Sequence, residues 1–268
     1  MVASVNLPGP HAGPEVVLAH ARAAASPAHR AWLANIDRRA VGPRTVTEIV
    51  RGQGITRDSF RALDVLEQIT DPDGKSFFVI PRTAGGDAVR RAVLLTYLLN
   101  AGTGYGRHGA LSDFPETPYG AAEVRRIIDR QRANRWSYAV VRSICNTGGC
   151  VAATPNGVLM VVGGNRIHGS FSHRGGTMWG DLFLVNTDRR VLDPAGRMRD
   201  IIESGRLAPA GPNLDALLHH EEIHAQQWAA LGPVRMPARY LAEEARARIF
   251  GGVNSFEKDA GLRDGGYR

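Results

Sequence analysis

Residues 219–228 read HHEEIHAQQW, and within them His220-Glu221-Glu222-Ile223-His224 is a complete H-E-x-x-H. On an α-helix, side chains four apart stack on one face, so His220 and His224 point the same way and can grip one zinc ion. Glu221, rotated by about 100° from His220, lies close enough to take a proton from an attacking water without being a ligand. The flanking residues delimit the helix. Pro212-Asn213 supplies a start, with Asn213 as cap and Asp215 in the first turn, and Gly232-Pro233 supplies a stop. Leu214, Leu218 and Ile223 give it apolar contacts, and a helix holds imidazoles more closely than a loop does.

A catalytic zinc site takes three protein ligands and keeps one position open. Downstream of His224 the candidate acids are Glu243, Glu244, Glu257 and Asp259. Glu244 belongs to a further expected helix over about 237–249, LAEEARARI, where Glu and Arg also fit a solvated face. Glu257 sits in GGVNSFEKDAG, in a short expected helix with Asn254 or Ser255 as cap and Phe256 and Ala260 as core anchors. Composition alone ranks Glu244 and Glu257 nearly equal.

Upstream, Gly157-VLMVV-Gly163 and Asp181-LFLVN-Asn186 are short apolar runs that read as two strands, the first preceded by an Asn156-Gly157 turn. The stretch between them, GGNRIHGSFSHRGG, carries His168 and His173 but lacks the strand–GxxxxGK[ST]–helix arrangement of a nucleotide loop, so it reads as a connection. A sheet edge near 181–186 is a place where an extended peptide can align. Helical patterns dominate the first half: PEVVLAHARAAA, SPAHRAWLANIDRR with Ser26 as cap and Pro27 at its first position, 56–68, 86–100 and an Arg-rich helix over 119–135. KSFFVIP at 75–81 reads as a strand. The expected fold is α+β, with a mainly helical region over 1–145 and a small sheet followed by the histidine-bearing helices over 146–268.

At 268 residues and 43% hydrophobic content the chain can bury a substantial core, and no apolar run approaches the roughly 20 residues of a membrane span. The N-terminus has no continuous apolar stretch of the kind a conventional signal peptide needs. Cytoplasmic residence, or export without such a peptide, is the expectation. The formal charge is +7, yet the cations are almost all arginines spread along the chain, with Lys75 and Lys258 the two lysines. That dispersal argues against nucleic acid as a partner. Cys145 and Cys150, in CNTGGC, are compatible with a local disulfide or with two free thiols. No signal for an oligomeric state is present.

From the glycine-punctuated strands through HHEEIHAQQWAALG and ARYLAEEAR to NSFEKDA, the arrangement resembles compact bacterial HExxH zinc metallopeptidase-like domains. These are gluzincin-like domains found in polymorphic-toxin and secretion-associated proteins. In that group the zinc-binding helix carries a glutamine soon after its second histidine. A tyrosine-bearing helix follows, then an Asn-Pro-Phe-Glu-like segment whose glutamate is the third ligand. The matching positions are Gln227, Tyr240 and Glu257, and the resemblance covers about residues 157–265. It implies zinc held by His220, His224 and Glu257, Glu221 as general base, Tyr240 helping to stabilise the oxyanion, and a peptide or protein substrate. Ser255 stands where the group has proline, a departure that weakens the loop signature and leaves the acid in place.

Overall fold

Short apolar runs with one residue in two facing each side of a sheet build the centre of the molecule. The computed structural model describes residues 26–103, 112–114, 117–164, 175–187 and 191–267. The expected helix at 14–25 and the loop histidines His168 and His173 lie outside the described residues.

The chain begins with α1 (Pro27–Arg38) and α2 (Pro43–Gln53), passes a 3-10 turn at Arg57–Phe60 and one helical turn, α3 (Arg61–Asp64), and enters the hairpin β1 (Glu67–Thr70) and β2 (Ser76–Val79). Helices α4 (Gly86–Leu99), α5 (Ala121–Ala133), α6 (Arg135–Tyr138) and α7 (Val141–Asn146) follow. Then come β3 (Cys150–Ala153), β4 (Leu159–Val162), β5 (Gly176–Trp179) and β6 (Leu182–Val185). Helices α8 (Pro194–Ser204), α9 (Leu214–Phe250) and α10 (Ser255–Ala260) complete the described order.

The fold is α+β, around one six-stranded mixed sheet of order β1-β2-β3-β4-β6-β5. Its pairs are antiparallel except β4 with β6, which run parallel with Met160 opposite Phe183. Alternation divides two apolar layers. Val151, Ala153, Leu159, Val161, Leu182 and Leu184 face the layer built on α1, α2, α4 and α5, whereas Ala152, Met160, Val162 and Phe183 face the layer of α8 and α9. Both faces are covered, which is why β4 is apolar at every position.

Three expectations need correction. The sheet has six strands rather than the three runs read from sequence, it crosses position 145/146 because β2 pairs with β3, and 181–186 is no edge because β6 pairs with both β4 and β5. The expected helix at 56–68 stops at Asp64. Glu67–Thr70 turns into a hairpin instead, since Asp71 Oδ1 accepts from Asp73 N at 2.9 Å and Lys75 N at 2.8 Å and closes a tight turn before β2. Finally, the helix expected to begin at 237 begins directly after Gly232. That residue (φ 77°, ψ 172°) breaks α9 into two segments, and Pro233 starts the second.

Candidate metal centre

Asn213 caps α9 as the sequence implies, its side chain accepting from Asp215 N at 2.8 Å and Ala216 N at 3.3 Å. Leu214, Leu217 and Leu218 bury one stripe of the helix in the core, and Trp228 lies further along it. His220 and His224 then fall side by side with ring centroids 4.6 Å apart. Asn254 caps α10 by accepting from Phe256 N at 3.0 Å, which fixes the direction of Glu257.

These elements converge on three atoms. His220 Nε2 lies 3.0 Å from His224 Nε2, and Glu257 Oε2 lies 3.3 Å from the first and 3.4 Å from the second. Among the described residues, His220, His224 and Glu257 are the group able to hold a metal ion, and all three are buried. Glu244, the rival third ligand, instead pairs with Arg248 at 3.2 Å and meets Asn254 Nδ2 at 3.4 Å. Asp259 and Glu243 are likewise outside the group. Ser255, at the departure from proline, donates its hydroxyl to Glu243 Oε2 at 3.0 Å and so ties the loop to α9 by another means.

Each imidazole is oriented through its other nitrogen. His220 Nδ1 is 2.9 Å from Gly261 O and 3.1 Å from Ala260 O. A carbonyl only accepts, so Nδ1 carries the proton. Gln227 donates through Nε2 to Phe256 O at 3.1 Å, turning its Oε1 toward His224 Nδ1 at 2.8 Å. With Nδ1 carrying the proton in each ring, both Nε2 atoms offer their lone pairs whenever the rings are neutral. Two lone pairs and a carboxylate facing one another at 3.0–3.4 Å repel unless a proton or a cation lies among them, so the donor set fits a metal ion. The electrostatics agree. Burial lowers the basicity of His220, but Glu257 and Glu221 outweigh it and bring its pKa up to about 9. Burial likewise opposes ionisation of Glu257, which His220, His224 and Tyr240 hold far below the usual carboxylate range.

Glu221 is buried, its Oε2 has no hydrogen-bond partner, and desolvation raises its pKa against the pull of His220 and His224. An orphaned carboxylate oxygen beside two imidazoles costs stability, and this one belongs to the residue that the motif assigns as base.

Tyr240 reaches the site through the break at Gly232. Sixteen residues of unbroken helix would separate the Cα atoms of His224 and Tyr240 by about 24 Å. The break lets one carboxylate serve both, with the Tyr240 hydroxyl donating to Glu257 Oε1 at 2.5 Å. That hydroxyl is therefore engaged with the carboxylate of Glu257, the candidate third ligand. Burial and the Glu257 charge raise its pKa.

Sequence reasoning left several participants without roles. Gln227 orients His224, and Glu222 is clamped by Arg126 and Arg130 from α5. His219 packs its ring edge-on with Phe114 at 5.5 Å and lies 3.7 Å from Asp264, outside the metal group. Both cysteines are free thiols. Among the described residues no helix is long and apolar enough to cross a membrane. Comparisons of the chain with family models, with curated proteins and with solved structures return no match.

Proposed function

We propose that the chain is a zinc-dependent hydrolase whose reaction is hydrolysis of a peptide bond, as the resemblance to HExxH metallopeptidase-like domains implies. The observation that carries this reading is the convergence of His220 Nε2, His224 Nε2 and Glu257 Oε2 beside the partnerless oxygen of Glu221. Nitrogen and carboxylate donors in a three-ligand set favour zinc among the common divalent ions. When bound, zinc supplies Lewis acidity that makes water more acidic and a carbonyl more electrophilic. Glu221 takes the proton as water attacks the substrate carbonyl and delivers it to the departing amine, so each proton lost from water is accounted for. Burial favours this use, because desolvation raises the pKa of Glu221 and makes it a stronger base than an exposed carboxylate. Gln227 and the Ala260 and Gly261 carbonyls hold the rings, and Tyr240 holds Glu257.

One observation favours a second reading, a binding or scaffolding protein with a metal-stabilised fold. His220, Glu221, His224 and Glu257 are each only 3–6% exposed. So little exposure leaves a substrate scant access, which suits a structural metal better than a catalytic one.

Elemental analysis of untagged protein beside His220→Ala tests the metal: about one zinc per chain, lost in the variant, is expected. Glu257→Ala is expected to weaken zinc binding and Glu244→Ala to leave it unchanged; the reverse order would move the third ligand. A peptide-library screen of wild type and Glu221→Gln then separates the two readings. Cleavage abolished in a zinc-loaded Glu221→Gln supports the peptidase. Zinc without any cleavage by wild type supports the structural metal, and no zinc even after it is offered back removes both.

A further inference from the structure

The residues after α10 fold back across the first histidine. Gly265 N donates to Gly261 O at 3.1 Å, Gly266 N to Arg263 O at 3.0 Å and Tyr267 N to Leu262 O at 2.7 Å, forming successive tight turns. The fully buried carboxylate of Asp264 pins them, accepting from Ser112 Oγ at 2.8 Å and Asp113 N at 3.1 Å. Gly266, with φ 76°, rests on Pro212 just before α9. The backbone at Gly265 consequently lies flat against His220: a Cβ there would stand 2.5 Å from ring Cε1, 2.7 Å from Nδ1 and 2.9 Å from Nε2. The Tyr267 ring follows, with its centroid 6.2 Å from that of His220 and tilted by 35°.

We infer, on the basis of the metal-centre reading, that the segment Gly261–Tyr267 is a positioning element of that centre, with Gly265 the surface against which the His220 ring is set. The hydrogen bonds from Nδ1 to Ala260 O and Gly261 O fix which nitrogen is free. They hold the ring by one edge and leave it free to tilt about those bonds. Gly265 removes that freedom from one face and Tyr267 limits it further, so Nε2 stays aimed at His224 and Glu257. No side chain larger than hydrogen fits between backbone and ring, whereas the space beside Gly42 or Gly85 is open. Outer groups that orient metal-binding histidines affect metal affinity by about 10–100-fold. Here that role falls to a glycine 45 positions beyond the histidine.

The experiment measures zinc affinity by chelator competition, the visible spectrum after cobalt replaces zinc, and thermal unfolding of the metal-free protein. The full-length variants are Gly265→Ala, Tyr267→Leu and, as a remote control, Gly42→Ala. Gly265→Ala is expected to melt somewhat below wild type without metal, because the His220 ring must shift to admit the Cβ, to bind zinc about 10–100-fold more weakly and to change the cobalt spectrum. Wild-type affinity and spectrum in a folded Gly265→Ala would overturn the inference. Should that variant not fold, Tyr267→Leu decides: weaker zinc binding supports the inference, and unchanged affinity and spectrum overturn it. A wild-type chain that binds no zinc marks the failure of the metal-centre reading itself, a result distinct from equal binding by wild type and variant.

Discussion

Arg130 donates through Nη1 to Oε1 of Glu222, the residue that lies between the two histidines, and both side chains are buried. The same guanidinium donates through Nη2 to Gly157 O and presents Nε to Asp181 Oδ1 at 3.3 Å, an ion pair without hydrogen-bond alignment. Tyr138 donates to Asp181 Oδ2 at 2.6 Å, and Asn134 donates to Asp181 Oδ1 and Ala225 O, both at 2.8 Å. Helices α5 and α6, the β3–β4 and β5–β6 turns and α9 are thereby fastened together. Burial alone would favour protonated Glu222, yet Arg130 and Arg126 hold its pKa below the ordinary value.

Removing one partner of a buried ion pair costs about 3–5 kcal/mol, because the survivor is left charged in a medium that cannot solvate it. Arg130→Met is expected to lose that much stability in urea unfolding of the metal-free protein. Arg126 pairs with Glu222 at 2.8 Å, but its side chain is 35% exposed. Water can replace it, so Arg126→Ala is expected to cost about 1 kcal/mol or less. Equal losses for the two variants would show that the pair at Arg130 carries no special weight.

Glu221 presents the opposite balance. Its buried oxygen without a partner opposes folding, since an unpaired carboxylate is costlier to bury than an amide. Metal-free Glu221→Gln is expected to be more stable than wild type by about 1 kcal/mol, the asymmetry of leaving a polar group unsatisfied being of that size. Thermal unfolding of both proteins in the presence of a chelator measures it. A less stable variant would mean that the carboxylate has a favourable role in the metal-free fold.

The two thiols provide a chemical check on the sheet. Burial, then the neighbouring Cys145, pushes the Cys150 thiol up to about 11, and burial raises Cys145 as well. At pH 8 little thiolate is present, so alkylation of the folded protein is expected to be slow and that of the unfolded protein fast, with both cysteines reacting. The neutral thiol is the form the fold favours. Its contribution to stability is therefore complete below the ordinary thiol value near 9 and is lost as pH rises toward 11. Rapid modification at pH 8, or a single reactive thiol after unfolding, would contradict this arrangement.

Local chemistry made the centre legible: the i, i+4 histidines, the Asn213 cap and the Gly232-Pro233 break are each signals carried by a few adjacent residues. The long pairings were not legible. Glu67–Thr70 continues an amphipathic-looking stretch and becomes a strand only because Ser76–Val79 lies opposite. Arg130 belongs to an Arg-rich helix whose charges fit a solvated face; nothing near it in sequence marks Glu222, 92 positions away, as its partner. Nothing near Gly265 in sequence marks its contact with His220, which exists only after α10 has folded back. Which acid lies beside the two histidines, Glu244 or Glu257, was nearly undecided until the turn after Gly251-Gly252 had a direction in space.

Tyr240 separates the role that the resemblance implies for its hydroxyl from the one that its hydrogen bond to Glu257 suggests. If it stabilises the oxyanion, Tyr240→Phe lowers kcat by about 100- to 1000-fold even when the zinc site is saturated, as loss of such a donor does. The hydroxyl instead donates to Glu257 Oε1, on the opposite side of the carboxylate from the histidines. Its loss frees the third ligand to rotate and leaves one carboxylate oxygen unsatisfied. The expected result is therefore zinc affinity reduced by about 10-fold or more, with kcat close to wild type once zinc is supplied in excess. Titrating zinc into both proteins while following turnover of a peptide found in the library screen gives affinity and kcat from one curve. A shifted curve reaching the same plateau makes Tyr240 a positioning residue, whereas an unshifted curve with a collapsed plateau restores it to the reacting atoms.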